Sequence, residues 1–359
     1  MKSLGKFPDP FYGEIFGQPD ALRRAAAGVA DQVETLERLP TMAPGAEVIL
    51  TGMGGSYATC YPLAVHLATP GRSALMLGTA ELLHFRLGLL DPARPIVVVS
   101  QSGESAEIVS LAERLHDLAA RPTVVAVTNG SGNTLARAAD LALDTRTGSE
   151  VGPSTGTFAG ALVVLAGIGR RLIDGSARVD ADRLIAHAEQ TAVAIERLLA
   201  HRGLGDELFE TFGSLDRFVI LGRGPARAAA EMAALTVKEA AGLPVEAFDA
   251  AQFRHGPLEM AGPGLAAVVL ATERETEALD RRLARELRDA GASVLEITTA
   301  PIEATIRPRR AHVGIGSLDR ALAPAAAIVP VQLLAHRLAL AHGRRPGTFV
   351  RATKVTTRE

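Results

Sequence analysis

Cysteine occurs once in the 359 residues, at Cys60, and tryptophan not at all. One thiol excludes a disulfide framework and a cysteine-built zinc site, and its expected place is that of a small buried apolar residue. Aromatic residues make up only 4%, too few for a base-stacking platform. Charge of one sign is also missing: 38 basic against 40 acidic residues leave a net −2. Neither nucleic acid nor an anionic membrane surface is therefore an expected partner. The nine histidines form no H-E-x-x-H pair and no close cluster, so no metal is expected. No apolar leader follows Met1, and the longest apolar run, "TFAGALVVLAGIG", is short and glycine-rich for a membrane span. The expected location is cytoplasmic. No P-loop occurs, and Gly52-Met53-Gly54 lacks the third glycine and downstream acid of a dinucleotide fingerprint, which disfavours NAD.

What is present is a duplicated α/β pattern. Hydrophobic residues reach 47%, ample for two ordinary cores. "EVILTGMGGSYAT" at 47–59 is an apolar strand, a glycine turn and a helix start, and "RFVILGRGPARAA" at 217–229 has the same layout 170 residues later. Gly52 answers to Gly222, Gly54 to Gly224 and Val124 to Val294. Each half alternates short β-rich runs with helical patterns, which argues for a parallel sheet with crossover helices.

Strands are expected near 47–52, 73–77, 95–100, 123–128 and 140–144, then near 217–222, 244–247, 265–271, 293–298 and 312–315. The expected fold class is α/β, with two tandem doubly wound parallel-sheet domains of flavodoxin-like type related by internal duplication. The expected division is an N-terminal helical extension (1–45), a first domain (46–175) and a helical connector (176–211). A second domain (212–345) and a C-terminal tail (346–359) follow.

In such folds ligands lie beyond the carboxyl ends of the strands. The stretch "VVVSQSGESAEI" leaves a buried strand there and presents Ser100, Gln101, Ser102, Gly103, Glu104 and Ser105 at a helix start. Free backbone N–H groups and the helix dipole attract an anion, serine hydroxyls add uncharged donors, and Gly103 admits a ligand to the backbone. Glu104 is out of place beside an anion and must point away or pair elsewhere. The same turn also reads as a plain helix N-cap. Two more hydroxyl-bearing turns, "GMGGSY" with Ser56 and "GSEVGPSTGTFAG" with Ser154 and Thr155, favour one polyoxygenated, phosphorylated ligand.

The blocks "GGSY", "SQSGES", "SEVGPST", "KEAAGLPVEAF" and "FRHGPLEM", in that order, resemble the sugar isomerase (SIS) domain family. The likeness is strongest to the isomerase half of glucosamine-6-phosphate synthase and to stand-alone SIS-type glucosamine-6-phosphate deaminases. It runs from about residue 20 onward in two tandem domains. The resemblance implies that Gly55, Ser56, Ser100, Gln101, Ser102 and Ser105 hold a sugar phosphate and that Ser154 and Thr155 line the sugar. It makes Glu239 the base moving a proton between C1 and C2, and His255 the ring-opening group reaching a neighbouring subunit's site. Lys354 becomes a Schiff-base amine.

The chemistry suits these types: a half-buried Glu as base, a His titrating near neutrality, and a Lys able to activate a carbonyl. Taken alone, Glu239 reads as a helix-end glutamate on a face like that of Glu231, His255 as a turn residue before Pro257, and Lys354 as a solvated lysine. Thr236 stands where the synthase has a lysine, as do Gly156 and Thr157 after Thr155, so substrate or reaction direction is open.

The expected activity is that of a phosphosugar isomerase/deaminase without a glutaminase domain, opening the ring, moving a proton and releasing ammonia, with no cofactor. The alternatives are a plain aldose–ketose isomerase, a sugar–amine deglycase, or a non-catalytic sugar-phosphate sensor. A homodimer is expected from the implied reach of His255 and from the apolar helices "IVPVQLLAHRLALA" and "GTFAGALVVLAGIG".

Overall fold

The computed structural model describes residues 8–174, 177–212 and 217–359. The first seven residues of the expected extension, Gly175 at the end of the expected first domain, Ser176 at the start of the connector, and 213–216 near the start of the second domain lie outside the described residues.

The chain opens with α1 (Pro10–Asp31) and α2 (Val33–Glu37). Then follow β1 (Glu47–Gly52), α3 (Gly55–Ala58), α4 (Cys60–Ala68), β2 (Ser73–Gly78), α5 (Thr79–Phe85), β3 (Ile96–Val99), α6 (Ala106–Asp117), β4 (Val124–Thr128), α7 (Thr134–Ala138), β5 (Leu141–Asp144) and α8 (Gly156–Asp174). Two helices, α9 (Ala177–Ala200) and α10 (Leu204–Phe212), lead to the second series. It comprises β6 (Arg217–Gly222), α11 (Ala226–Ala241), β7 (Glu246–Asp249), β8 (Leu265–Ala271), α12 (Glu277–Asp289), β9 (Ser293–Thr298), β10 (Ala304–Arg307), β11 (Arg310–Gly314), α13 (Ala323–Ala327) and α14 (Val329–Ala341).

Two compact units result. One holds Asp20–Ser149, Gly156–Glu189 and Arg351–Glu359; the other holds residues up to Pro19, Glu150–Thr155 and Gln190–Val350. The division falls inside α1 and α9 and returns residues 351–359 to the unit of the first sheet.

The first sheet has the order β2-β1-β3-β4-β5, all parallel. The second has the order β10-β11-β9-β8-β6-β7. Without β10 its five parallel strands repeat the first sheet's order, which is the flavodoxin-like winding. The duplication reaches backbone detail: Gly54 and Gly224 take φ of 52° and 49° in matching turns. A Cβ on Gly52 would lie 2.8 Å from the Val99 carbonyl, and one on Gly222 2.8 Å from the Ala226 carbonyl, so neither turn admits a side chain there.

The central strands β3 and β8 are buried at every position, which is why "IVVV" and "LAAVVLA" show no alternation. Each such Val or Leu contributes roughly 1.5–3 kcal/mol of burial. The first core joins Ile49, Ile96, Val98, Ile108, Leu111 and Leu135; the second joins Val219, Val269, Phe253, Leu283 and Leu287. Cys60 is buried, and desolvation pushes its thiol up to about 12, an inert core group.

Two expectations need correcting. The windows Gly156–Ile173 and Ala323–Ala341 do have the length and apolar content of a membrane span, contrary to the sequence reading. Inside the fold 83% and 89% of them are buried, which makes them core helices. Their apolar surplus is therefore covered by their own chain and gives no argument for a dimer. Strand β10 was not expected; it pairs antiparallel with β11 through Pro308 and Arg309.

Candidate functional site

In the first unit, β1 and β3 are neighbours whose helical crossovers leave in opposite directions, the switch point of this winding. Both candidate phosphate turns leave from here. After β1, Gly54 precedes α3, whose first residues are Gly55 and the half-buried Ser56. The Ser56 carbonyl accepts the Thr59 hydroxyl at 2.6 Å, holding the short helix where it bends into α4.

After β3, Ser100 is buried, and its Oγ accepts the Gly103 N–H at 3.1 Å. The Ser102 Oγ accepts the Glu104 N–H at 3.2 Å. Gln101, half-buried, gives its carbonyl to the Asn129 N–H at 3.0 Å. Ser105 is the N-cap residue of α6, yet its side chain makes no capping bond. The turn is thus shaped by its backbone and by Ser100, while the Ser105 hydroxyl leaves its own helix uncapped.

Gly103 is obligatory here. Its φ is 64°, and a Cβ would lie 2.0 Å from Asn133 Oδ1. That oxygen caps α7 by accepting the Ala136 N–H at 2.9 Å. Glu104 resolves its misfit by pairing elsewhere: its two carboxylate oxygens accept the Thr134 N–H at 2.7 Å and the Thr134 hydroxyl at 2.9 Å. Those two bonds, backbone first, hold its carboxyl below the ordinary carboxylate range.

Lys354, half-buried, joins this unit through the returning segment 351–359. The Thr356 carbonyl accepts the Ala106 N–H at 2.9 Å, and Glu359 pairs with His84 at 3.0 Å. The fold therefore brings residues 354–356 to the serine turn, a proximity that a separation of about 250 residues conceals.

In the second unit, Glu150 organises the loop before α8, accepting the Thr155 N–H at 2.7 Å and the Thr155 hydroxyl at 2.8 Å. Thr155 is buried and serves the loop's own shape, while Ser154 beside it is half-buried. Glu14 fastens the same loop by accepting the N–H groups of Val151 and Gly152. Glu239 is half-buried in the last turn of α11, before Gly242 closes that helix at φ 67°. Glu231, its rival by position, accepts Arg227 at 2.8 Å. His255 is exposed at the end of a short 3₁₀ turn, Gln252–Arg254. Thr236 is fully buried and returns its hydroxyl to the Met232 carbonyl at 2.8 Å. These residues stand on three separate elements of the unit. Among the described residues no group of three or more His, Cys, Asp and Glu side chains is arranged to hold a metal.

The duplicated sheet, the two glycine turns and the order of the serine blocks agree with a family model for the SIS domain, which matches residues 43–167 and again 214–341. The chain belongs to the SIS domain family. An isomerizing glutamine–fructose-6-phosphate aminotransferase of Symbiobacterium thermophilum is 30% identical over 342 residues, covering 92% of this chain and 56% of the relative. The chain spans less than three fifths of the length of the curated relatives it matches first.

Among solved structures, the C-terminal domain of glucosamine-fructose-6-phosphate aminotransferase from Francisella tularensis aligns with a TM-score of 0.79 at 19% identity. That match covers 96% of this chain and 99% of that one. A glucosamine-6-phosphate deaminase from Thermotoga maritima aligns at 0.74 and 18% identity, covering 98% and 100%. At these identities the likeness is one of fold, and it extends over both SIS domains.

Proposed function

We propose that this SIS protein is a phosphosugar isomerase that deaminates an amino-sugar phosphate. Gly55, Ser56, Ser100, Gln101, Ser102 and Ser105 bind the phosphate at the start of α6, and Ser154 and Thr155 shape the turn beside the sugar. His255 opens the ring, and Glu239 takes the C2 proton and returns it at C1. The amino group is then on a C2 imine, which water hydrolyses to the keto sugar phosphate and ammonia. Lys354 is the amine that forms the corresponding imine with the keto product. His255, exposed on its own chain, acts in the site of a second copy, so a homodimer is the active unit.

The observation that carries this reading is the fate of Glu104. Its carboxylate is engaged by Thr134, which leaves the hydroxyl-bearing residues of a turn at a helix N-terminus as the groups that suit a dianionic phosphate. The SIS family membership and the kinship with aminotransferases of fructose-6-phosphate supply the substrate class.

The test is a coupled assay of ammonia release from glucosamine-6-phosphate, with Glu239→Gln as control. Ammonia that forms with the native chain and is lost in the variant, while sugar-phosphate binding persists, supports the reading. Ketose–aldose interconversion without ammonia assigns plain isomerisation. Binding without turnover on any hexose phosphate assigns a sensor.

A further inference from the structure

The segment 351–359 returns to the first unit, and two of its bonds there reach the serine turn's helix and its neighbour. One is the bond from the Ala106 N–H, the first amide of α6, to the Thr356 carbonyl at 2.9 Å. The other is the pair between His84 Nε2, in the last turn of α5, and Glu359 Oε2 at 3.0 Å. Ala106 is the first residue of α6, so its N–H has no partner within the helix, and the Thr356 carbonyl satisfies it. Lys354 lies two residues before Thr356, within about 7 Å of chain from that anchor.

We infer that His84 is a positioning residue: with Glu359 it latches segment 351–359 so that the Thr356 carbonyl stays on α6 and Lys354 is held beside the serine turn. This rests on the role given to Lys354 above. The backbone bond fixes where the segment lies along α6 but supplies no partner beyond residue 356. A second anchor at residue 359 limits how far the exposed residues 357 and 358 can draw Thr356 off α6. His84 is the side chain that supplies that anchor. Its ring is about half exposed, so the latch is of the modest strength of a surface pair, enough to bias a docked segment without making it immovable.

The experiment compares native chain, His84→Ala and Glu359→Gln by amide exchange at Ala106 and across 351–359, and by steady-state kinetics on glucosamine-6-phosphate. Both variants are expected to raise exchange at Ala106 and in the segment several-fold. Turnover should fall about fivefold, the size of an exposed pair, with KM for the sugar phosphate changed less than twofold. The double variant should be no worse than either single one, because the two side chains act as one latch. Unchanged exchange in both variants overturns the latch. Faster exchange with unchanged turnover in a chain that does turn over overturns the positioning role. If the native chain shows no turnover, the function proposed above has failed, and the exchange data still decide the latch.

Discussion

The turn after β3 and the turn after β8 are the same piece of scaffold built to opposite ends. Strand pairing aligns them: Thr51 faces Val98 beside β1, as Leu221 faces Val269 beside β6. Carried forward, that register sets Ser102 against Glu273 and the N-cap Ser105 against the N-cap Thr276. In the first turn the side chains are hydroxyls and the one carboxylate, Glu104, is turned onto α7. In the second turn, Glu273 is buried against Arg320 at 2.8 Å, and Asp280 is buried against Arg223 and the Thr276 hydroxyl. The second turn's carboxylates are paired with arginines of its own unit, although Glu273 Oε1 stays buried without a partner; the first turn carries hydroxyls instead. Shared winding does not carry shared use, which resides in a handful of side chains grafted on it.

The comparison breaks most severely if the second turn's group is moved into the first. Ser102→Glu sets a carboxylate where the phosphate is proposed to bind, a repulsion of about 4 kcal/mol at close range, so KM for a sugar phosphate should rise beyond a hundredfold. Ser102→Ala removes one donor to a charged group and should raise KM about tenfold; calorimetric titration with a hexose phosphate reads both. A phosphate affinity that Ser102→Glu leaves intact would remove the first turn from the site.

Gly103→Ala comes next. A methyl at φ 64° meeting Asn133 should cost roughly 2–4 kcal/mol in urea unfolding, and pairing it with Asn133→Gly should recover only the clash, because the positive φ remains and the α7 cap is lost.

The smaller effects sharpen the contrast through pH. Glu104 is lowered on folding, so the unfolded chain binds more protons; its contribution is present at neutral pH and is lost as pH falls below about 4. Glu104→Gln should cost about 1 kcal/mol at pH 7 and blunt the acid limb of the stability curve. Glu273 and Asp280 are raised, chiefly by burial, so the native chain binds more protons than the unfolded one. Their contribution is present below about pH 4 and declines as pH rises through their raised values. The least effect is expected of Glu273→Gln, which should flatten that decline and leave the acid limb unchanged. Denaturant midpoints measured from pH 3 to 8 separate the two slopes by sign.

Most of the fold was legible because buried parallel strands are continuous apolar runs and because the chain repeats itself at a fixed spacing. All five strands of the first sheet and every strand of the second except β10 lie within two residues of their expected places. Strand β10 was hidden by its turn. Pro308 and Arg309 close a two-residue hairpin in which Arg309 takes φ 62°, where glycine or asparagine would have signalled the reversal. The helices after 156 and 323 misled in another way, since apolar content alone does not say whether a helix face is covered by the same chain or by another.

At the candidate site, the serine turn was legible as a strand-to-helix junction rich in hydroxyls. The partner of Glu104 was not, because Thr134 lies 30 residues on and carries no motif. The engagement of the Thr155 hydroxyl by Glu150 was equally hidden, as was the arrival of residues 354–356 at α6. Each depends on which loops the winding makes neighbours, information that local pattern does not contain.

The return of residues 351–359 to the first unit also sets an order of events during synthesis. Apart from residues 351–359 that unit ends at Glu189, within α9, so its core can assemble while the rest of the chain is still being made. The amide of Ala106 must wait for a carbonyl 250 positions later, among the longest loop closures this fold makes. A nascent chain therefore carries a folded but unfinished serine turn until residues 351–359 have emerged to complete it.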